Sequence, residues 1–522
     1  MAELPRRGAL RLLGGLGAAG GLVALGALDG CSRRGGSAEP KPSAGGTTMA
    51  PSFAPQDWAT LASRLHGKLI RPGAADYVGA ARLYNPRFDA SSRPAAIARC
   101  AGAADVQACV RFAADTGTPF AVRCGGHSYG GWSTSRGLVI DVSGIDSVTV
   151  DGGAGTARIG AGARLVDVYA ALAAKGVALA AGSCPTVGMT GLTLGGGVGV
   201  LSRAWGLTCD AVTGVEIVTA DGQLRLVDAR RDPDLFWALR GGGGSFGAVT
   251  AWTVSTRPAP SVHTFFLAWD FARAPEVLTA WQRWAPRTDP KLWSTCKLLA
   301  DPGRDRIRAT VSGTWIGHAS GLDGQLNPLL TQTGAPANRQ TNSLTYAKAM
   351  LWEAGCASQD AAQCESVALS LAKRQPFAAT SSIAAAELPP AAIEAAVAQT
   401  RAGMNIANMV EGGVSFDVLG GAVAQVAPDA TAFVHRNAMA TVQYTATWQD
   451  AGAAPAPFDA YVRGFRAAMA PWLGSAAYVN YADPTIDRYG PAYWGDNYTR
   501  LQQVKRAVDP SALFAFAQSV QP

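Results

Sequence analysis

The sequence predicts an α+β protein in two parts: a glycine-punctuated N-terminal region of short strands, then a region built on a broad antiparallel sheet. Three observations predict this. At 522 residues the chain is too long for one small core. Its composition, 48% hydrophobic and 16% charged, is that of a folded body. The pattern also changes near Pro258: before it, short β-rich runs alternate with Gly turns, and after it longer strand-like segments alternate with Ala-rich helices.

The first residues read as an address. Arg6-Arg7 precede an apolar, glycine-rich run from Leu12 to Leu28, short for a membrane span and suited to a twin-arginine export signal over residues 1–31. Leu28-Asp29-Gly30-Cys31 is also like a bacterial lipoprotein cleavage site, which leaves a lipid anchor at Cys31 open. Residues 32–74 read as linker and N-terminal segment. The expected location is outside the cell, with or without that anchor, after passage through machinery for folded proteins.

The elements then follow in order. Asp105–Asp115 carries Val106, Cys109, Val110 and Ala113 on one helical face. Phe120–Arg123 and Leu138–Val142 are strands. Leu165–Lys175 is a helix ended by Gly176. Val212–Thr219 and Leu224–Val227 form a hairpin around Asp221-Gly222. Past Pro258 the strands are Thr264–Asp270, Arg306–Trp315, Gly413–Leu419 and Ala440–Trp448, and a helix runs from about Asn497 to Val508.

Charge and cysteine content exclude some functions. Net charge is +7, and three of those charges are the excess of the first 41 residues. No dense Lys/Arg block exists, which argues against nucleic acid, though a modest positive field suits an anionic dinucleotide. The nine cysteines form no CxxC, and no HExxH occurs, so no metal is expected. Cys356 with Cys364, and Cys100 with Cys109, are each either a disulfide or two free thiols.

Three glycine-rich loops carry the chemistry. The first is Arg123-Cys124-Gly125-Gly126-His127-Ser128-Tyr129-Gly130-Gly131, whose glycines free backbone N–H groups to meet a phosphate. It contains Gly126-His127-Ser128-Tyr129-Gly130, a G-x-S-x-G match to a hydrolase nucleophile elbow at Ser128. An elbow needs a helix next; turn sequence follows instead. The second loop runs from Gly182 to Gly199 and includes Cys184-Pro185-Thr186-Val187-Gly188. The third, Gly241–Gly247, fits G-x-G-x-x-G, but Ala248–Val254 reads as a strand where a Rossmann site needs a helix.

These loops, in this order and spacing, resemble the vanillyl-alcohol-oxidase type of FAD fold, specifically the berberine-bridge-enzyme-like oxidases, from about Tyr84 to Pro522. The C-terminal signature supports the resemblance: Tyr478-Val479-Asn480-Tyr481, Trp494-Gly495, Asn497, Arg500-Leu501, Lys505, Asp509-Pro510, Phe514 and Gln518-Ser519. Thr431–Arg436, followed by Val442-Gln443-Tyr444 and Trp448, is similar to the family's substrate-domain strands. Two departures are Cys124, where serine is usual, and Met189-Thr190, where smaller residues are common.

The resemblance implies a two-part FAD-binding domain (75–257, completed by 475–522) and a substrate domain (258–474) with an antiparallel sheet flanked by helices. It implies bicovalent FAD, joined by an 8α-histidyl link at His127 and a 6-S-cysteinyl link at Cys184. Arg123, Gly125, Gly126, Ser128, Val187, Gly188, Gly191, Gly196, Gly197, Val198 and Tyr481 would lie along the cofactor. It implies an alcohol-oxidising site in which a tyrosine takes the hydroxyl proton. Tyr478 is the expected base, with Tyr481 the other choice; in a strand Tyr478 would share a face with Asn480. Tyr129 and Gln443 would face substrate. Val187, three residues after the attachment cysteine, implies reoxidation by O2 with release of H2O2. The expected substrate is a hydroxyl on an oligosaccharide or similar alcohol. The alternatives are a tailoring oxidase of an aromatic or glycosylated natural product, a flavin binder without turnover, and a hydrolase using Ser128.

Overall fold

A computed structural model of the chain describes residues 55–370 and 374–522. The readings of residues 1–31 as a signal, with the lipid anchor at Cys31, lie outside the described residues. Within them, no helix is long and apolar enough to cross a membrane.

Strands β1 (Lys68–Ile70), β2 (Ala96–Arg99), β3 (Phe120–Arg123) and β4 (Leu138–Asp141) form one sheet in the order β1-β2-β4-β3. β2, β4 and β3 run parallel. The helix Ala103–Thr116 connects β2 to β3 and buries Val106, Cys109, Val110 and Ala113, as its periodicity predicts. Gly117, at φ 66°, ends it in the left-handed conformation that glycine adopts without strain.

Next come β5 (Val148–Asp151), β6 (Thr156–Gly160), β7 (Val177–Ala178), β8 (Val212–Val218), β9 (Leu224–Val227), β10 (Ala248–Ser255) and β11 (Arg257–Pro258). β7 and β11 pair as a ribbon, and the others make an antiparallel sheet in the order β5-β6-β10-β8-β9. The predicted β8–β9 hairpin is present. β10 follows the third glycine loop directly, as a non-Rossmann site requires.

The third sheet is antiparallel throughout and has seven strands: β12 (Ser261–Asp270), β13 (Leu292–Asp301), β14 (Arg306–Trp315), β15 (Asn338–Thr345), β16 (Phe377–Ala384), β17 (Met409–Val418) and β18 (Ala440–Trp448). Their order is β15-β12-β14-β13-β17-β18-β16. Alternation divides its two faces. Cys296, Leu298, Val414, Phe416, Val442 and Tyr444 point one way and are fully buried. On that face Trp281 packs on Phe416, Phe465 on Tyr444, and Phe458 stacks on Trp448 at 4.2 Å. The other face carries Lys297, Ser415, Asp417 and Gln443, all half-buried.

Two expectations are corrected here and one pair of alternatives is resolved. Thr431–Arg436 is an irregular loop, not a strand; Arg436 draws it inward by bonding both carboxylate oxygens of Asp210, at 2.8 and 2.7 Å. Val479–Tyr481 is a 3-10 turn, so Tyr478 and Asn480 do not share a strand face. Cys100 and Cys109 are free buried thiols, whereas Cys356 and Cys364 are bridged. The second glycine loop contains a helical turn, Met189–Leu194.

Candidate functional site

The first glycine loop leaves β3 at a clamped end. The Arg123 guanidinium donates to Asp141 Oδ2 and to Ala80 O, both at 2.7 Å, inside the protein. Burial alone would raise the Asp141 carboxyl; Arg123 and Ser143 outweigh it and hold it below its usual range. Arg123 Nη2 is thus engaged within the protein, while its Nη1 is buried without a hydrogen-bond partner. Gly126, at φ 70°, makes the turn, and its carbonyl accepts from Tyr84 N.

His127 is pinned from two sides. Its ring stacks on Tyr84, with centroids 3.7 Å apart and planes 16° apart. Its Nε2 lies 2.9 Å from Thr186 Oγ1. Burial, helped by the charge of Arg164, lowers its pKa to about 3, so the imidazole is neutral and nucleophilic across the physiological range.

Thr186 belongs to the second loop, and the two loops meet backbone to backbone. A Cβ on Gly125 would lie 2.4 Å from Gly188 N, and one on Gly188 would lie 2.0 Å from Cys124 Sγ. Cys184, two residues from Thr186, is exposed at its surface while protein surrounds it, the signature of a recess. Burial raises its thiol pKa and Lys297 opposes that shift. Val187 is half-buried beside it, and Gly191 faces open space.

Gly196, Gly197 and Val198 behave otherwise than expected. Their amides are already engaged: Gly196 N donates to Thr193 O, and Gly197 N and Val198 N donate to Tyr478 Oη at 3.1 and 3.2 Å. The absent side chains admit protein: a Cβ would lie 2.0 Å from Asn480 Oδ1 at Gly195, 2.8 Å from Phe433 at Gly196 and 2.3 Å from Thr208 Oγ1 at Gly197. The glycines here close the fold around the C-terminal segment.

That segment is tied in firmly. Lys505 Nζ donates to Ser245 O, Asp509 Oδ2 and Phe514 O, at 2.6, 2.6 and 2.9 Å, satisfying all three of its protons. Trp494 Nε1 donates to Gly241 O at 3.0 Å. The third glycine loop is thus held by the chain's last residues.

The tyrosines divide into two environments. Tyr478 is 2% exposed, and its oxygen faces three N–H donors, from Gly197, Val198 and Asn480 Nδ2 (2.8 Å). Burial still pushes its pKa up to about 12. Tyr481 is half-buried and stacks on Tyr129, centroids 5.7 Å apart and planes 10° apart. Burial raises the Tyr481 hydroxyl well above its usual range, and Asp417 adds to this. Gln443 Nε2 donates to Tyr129 Oη at 2.7 Å. Ser128 Oγ accepts from Trp132 N and no helix follows it, so there is no elbow.

The structure thus brings together His127, Gly125 and Gly188 with the Cys184 loop that carries Val187, and groups Tyr129 with Gln443 and Tyr481, while Asn480 instead bonds Leu192 O and Tyr478 Oη. Sequence reasoning missed Tyr84, Lys297, Glu353 and Asp417. Tyr84 lies in an irregular stretch with no motif. The other three are placed by strand register and a helix end.

Residues 94–228 match the family model described as "FAD binding domain", and residues 477–521 match "Berberine and berberine like". The chain is similar to the Bacillus subtilis protein named "Uncharacterized FAD-linked oxidoreductase YgaK", 33% identical over 467 residues, covering 88% of this chain and 98% of that one. It is similar to "Berberine bridge enzyme-like 2" of Arabidopsis thaliana, 31% identical over 483 residues, covering 86% and 88%. Among solved structures, "Chitooligosaccharide oxidase" superposes with a TM-score of 0.80 at 28% identity, covering 89% of this chain and 99% of that one.

Proposed function

Because the chain belongs to the berberine-bridge-enzyme-like family of FAD-linked oxidoreductases, we propose that it oxidises a hydroxyl of an oligosaccharide or similar alcohol, with FAD held covalently at His127 and Cys184. One observation carries the double attachment. A neutral imidazole meets Thr186, and an exposed thiol stands two residues before that threonine on the facing loop. Gly191 opens outward on the Cys184 loop, leaving room there for a flat, extended group. FAD, when bound, would supply two-electron acceptor chemistry and, with O2, the route to H2O2. Val187 beside Cys184 is small enough to leave O2 a path.

The chain's own residues do the rest. Tyr481, rather than the enclosed Tyr478, is the tyrosine that substrate can reach; being neutral, it would pass its own hydroxyl proton toward Asp417 as it takes the proton of the substrate hydroxyl. Burial raises the Asp417 carboxyl, with Lys297 opposing, which suits a transient acceptor. Tyr478 holds the amides of Gly197 and Val198. Gln443 orients Tyr129. Flavin-side residues 75–257 and 475–522 and substrate-side residues 258–474 act as the two domains, and the chain acts outside the cell.

The similarity to a chitooligosaccharide oxidase favours a saccharide over a phenolic substrate. The test pairs intact mass with turnover. A mass increase of one FAD that survives denaturation, and H2O2 release with oligosaccharides, are expected. A colourless polypeptide without added mass rejects the attachment. Turnover of phenolic alcohols only, or reoxidation by a dye but not by O2, rejects the substrate or the acceptor.

A further inference from the structure

The Cys184 loop is irregular from Leu179 to Val187, and a helix behind it gives it its shape. Leu165 N donates to Val187 O and Val166 N to Pro185 O, both at 3.0 Å. These are the first two residues of the helix Leu165–Ala173, whose opening N–H groups have no partner within the helix and take the loop carbonyls instead. One turn on, Tyr169 Oη donates to Gly182 O at 2.5 Å. The helix therefore grips the loop on both sides of Cys184, at Gly182 before it and at Pro185 and Val187 after it.

That helix is braced in turn by a segment far along the chain. Val166 packs with Leu351, Cys356 and Cys364 in one buried cluster. Arg164, just before the helix, pairs with Glu365, and Tyr169 meets Tyr346 edge-on, with centroids 5.7 Å apart. All these partners lie between the start of the helix Tyr346–Glu353 and the middle of the helix Ala361–Leu369. Residues 357–363, between the two sulfurs, are exposed or half-buried, so packing alone does little to hold them, and the Cys356–Cys364 bridge closes the segment covalently. Its two cysteines are buried against Val166, at 7% and 0% exposed. Brace, helix and loop also share an apolar cavity of about 30 Å³, lined by Val166, Tyr169, Pro185, Leu351, Ala354 and Ala361 among others. Pro185 thus has room behind it, and a loosened brace lets the loop fall back.

We propose that the Cys356–Cys364 bridge is a positioning clamp for Cys184, so that the second flavin bond forms efficiently only in a chain whose bridge is closed. This rests on the double attachment proposed above. The clamp acts through Val166 and the Pro185 carbonyl, one residue from the thiol. Closing the bridge joins the two Sγ atoms and passes their two protons and two electrons to a small-molecule disulfide of the glutathione class, which leaves as two thiols. Joining Cys184 breaks its S–H bond and the flavin C6–H bond and forms Sγ–C6. The two protons and two electrons released go to O2, giving H2O2.

The experiment denatures the purified full-length protein, alkylates it without reductant, digests it and weighs two peptides. The Cys184 peptide carries either flavin or an alkyl group, and the His127 peptide is the internal reference. In the double variant Cys356→Ala, Cys364→Ala the ratio of flavin-joined to alkylated Cys184 should fall by about 10- to 100-fold, as expected when a reacting group shifts by about 1 Å, while His127 keeps its flavin. A ratio unchanged from wild type overturns the clamp and leaves the double attachment standing. Equal losses at His127 and Cys184 make the bridge a support of the whole fold and overturn the clamp. A wild type with no flavin on the Cys184 peptide overturns the double attachment and the clamp with it. Should the double variant fail to fold, wild-type chains produced in a reducing cytoplasm take its place, sorted by alkylation at Cys356 and Cys364. Less joining at Cys184 in unbridged chains than in bridged ones supports the clamp, and equal joining removes it.

Discussion

The two walls of the site are built by opposite means. One is backbone: the His127 and Cys184 loops press so closely that Gly125 and Gly188 have no room for a methyl group. The other is side chain: β13, β17 and β18 place Lys297, Ser415, Asp417 and Gln443 by register on a sheet whose far face is packed core. A backbone wall has no spare parts, so changes there damage the fold or the proposed attachment. A side-chain wall on a rigid sheet can be altered one group at a time, so changes there tune reaction and preference.

The largest expected effect separates the two tyrosines across this divide. Tyr481→Phe should lower kcat/KM by about 10²- to 10⁴-fold with stability little changed. Tyr478→Phe should act the other way, costing about 1–3 kcal/mol in denaturant unfolding because two buried amides lose their acceptor. Equal rate losses in both variants would erase the distinction. Next, Lys505→Met should cost about 3–5 kcal/mol, since it strands the Asp509 carboxylate in a dry interior. If the third loop is independent of the C-terminal segment, the cost will be near zero and flavin content unaltered.

A third test uses pH. His435 packs against Phe433, ring centroids 5.7 Å apart, with Nε2 3.0 Å from Ala477 O, and burial lowers its pKa to about 4. The unfolded chain binds this proton near 6.5 and the folded chain does not. Its contribution is therefore complete above pH 6.5 and lost as pH falls toward 4, up to about 3 kcal/mol. Unfolding midpoints should drop over that window, and less steeply in His435→Asn; parallel curves would remove His435 as the cause. The smallest effect is Gly125→Ala, about 1–3 kcal/mol of overpacking, with reduced covalent flavin measured by absorbance after acid precipitation. Full flavin content in that variant would show that the backbone wall can give.

Local signals were legible in the sequence. Arg306–Trp315 and Ala440–Trp448 are strands with those bounds because alternation is written into ten consecutive residues or fewer. The His127 and Cys184 loops were legible because glycine spacing is itself local. Tyr478 misled because an extended tetrapeptide and a 3-10 turn share the same letters; Ser381 and Leu192, far away in the chain, decide between them. Thr431–Arg436 misled similarly, its β-branched look overruled by the pull of Asp210 on Arg436. Gly196 and Gly197 were read as facing a ligand when Phe433 and Thr208 fill that space. Asp417, Lys297 and Glu353 had no local mark at all, since an acidic or basic residue in a strand gains its meaning only from which strand lies beside it.

The buried ammonium of Lys505 also has a consequence in time. It joins Ser245 to residues that leave the ribosome after everything else they touch, and Tyr478 does the same for the amides at Gly197 and Val198. The recess is therefore unfinished throughout synthesis. Cofactor capture must be a late, whole-chain event, and a nascent or prematurely stopped polypeptide has no assembled cradle to load.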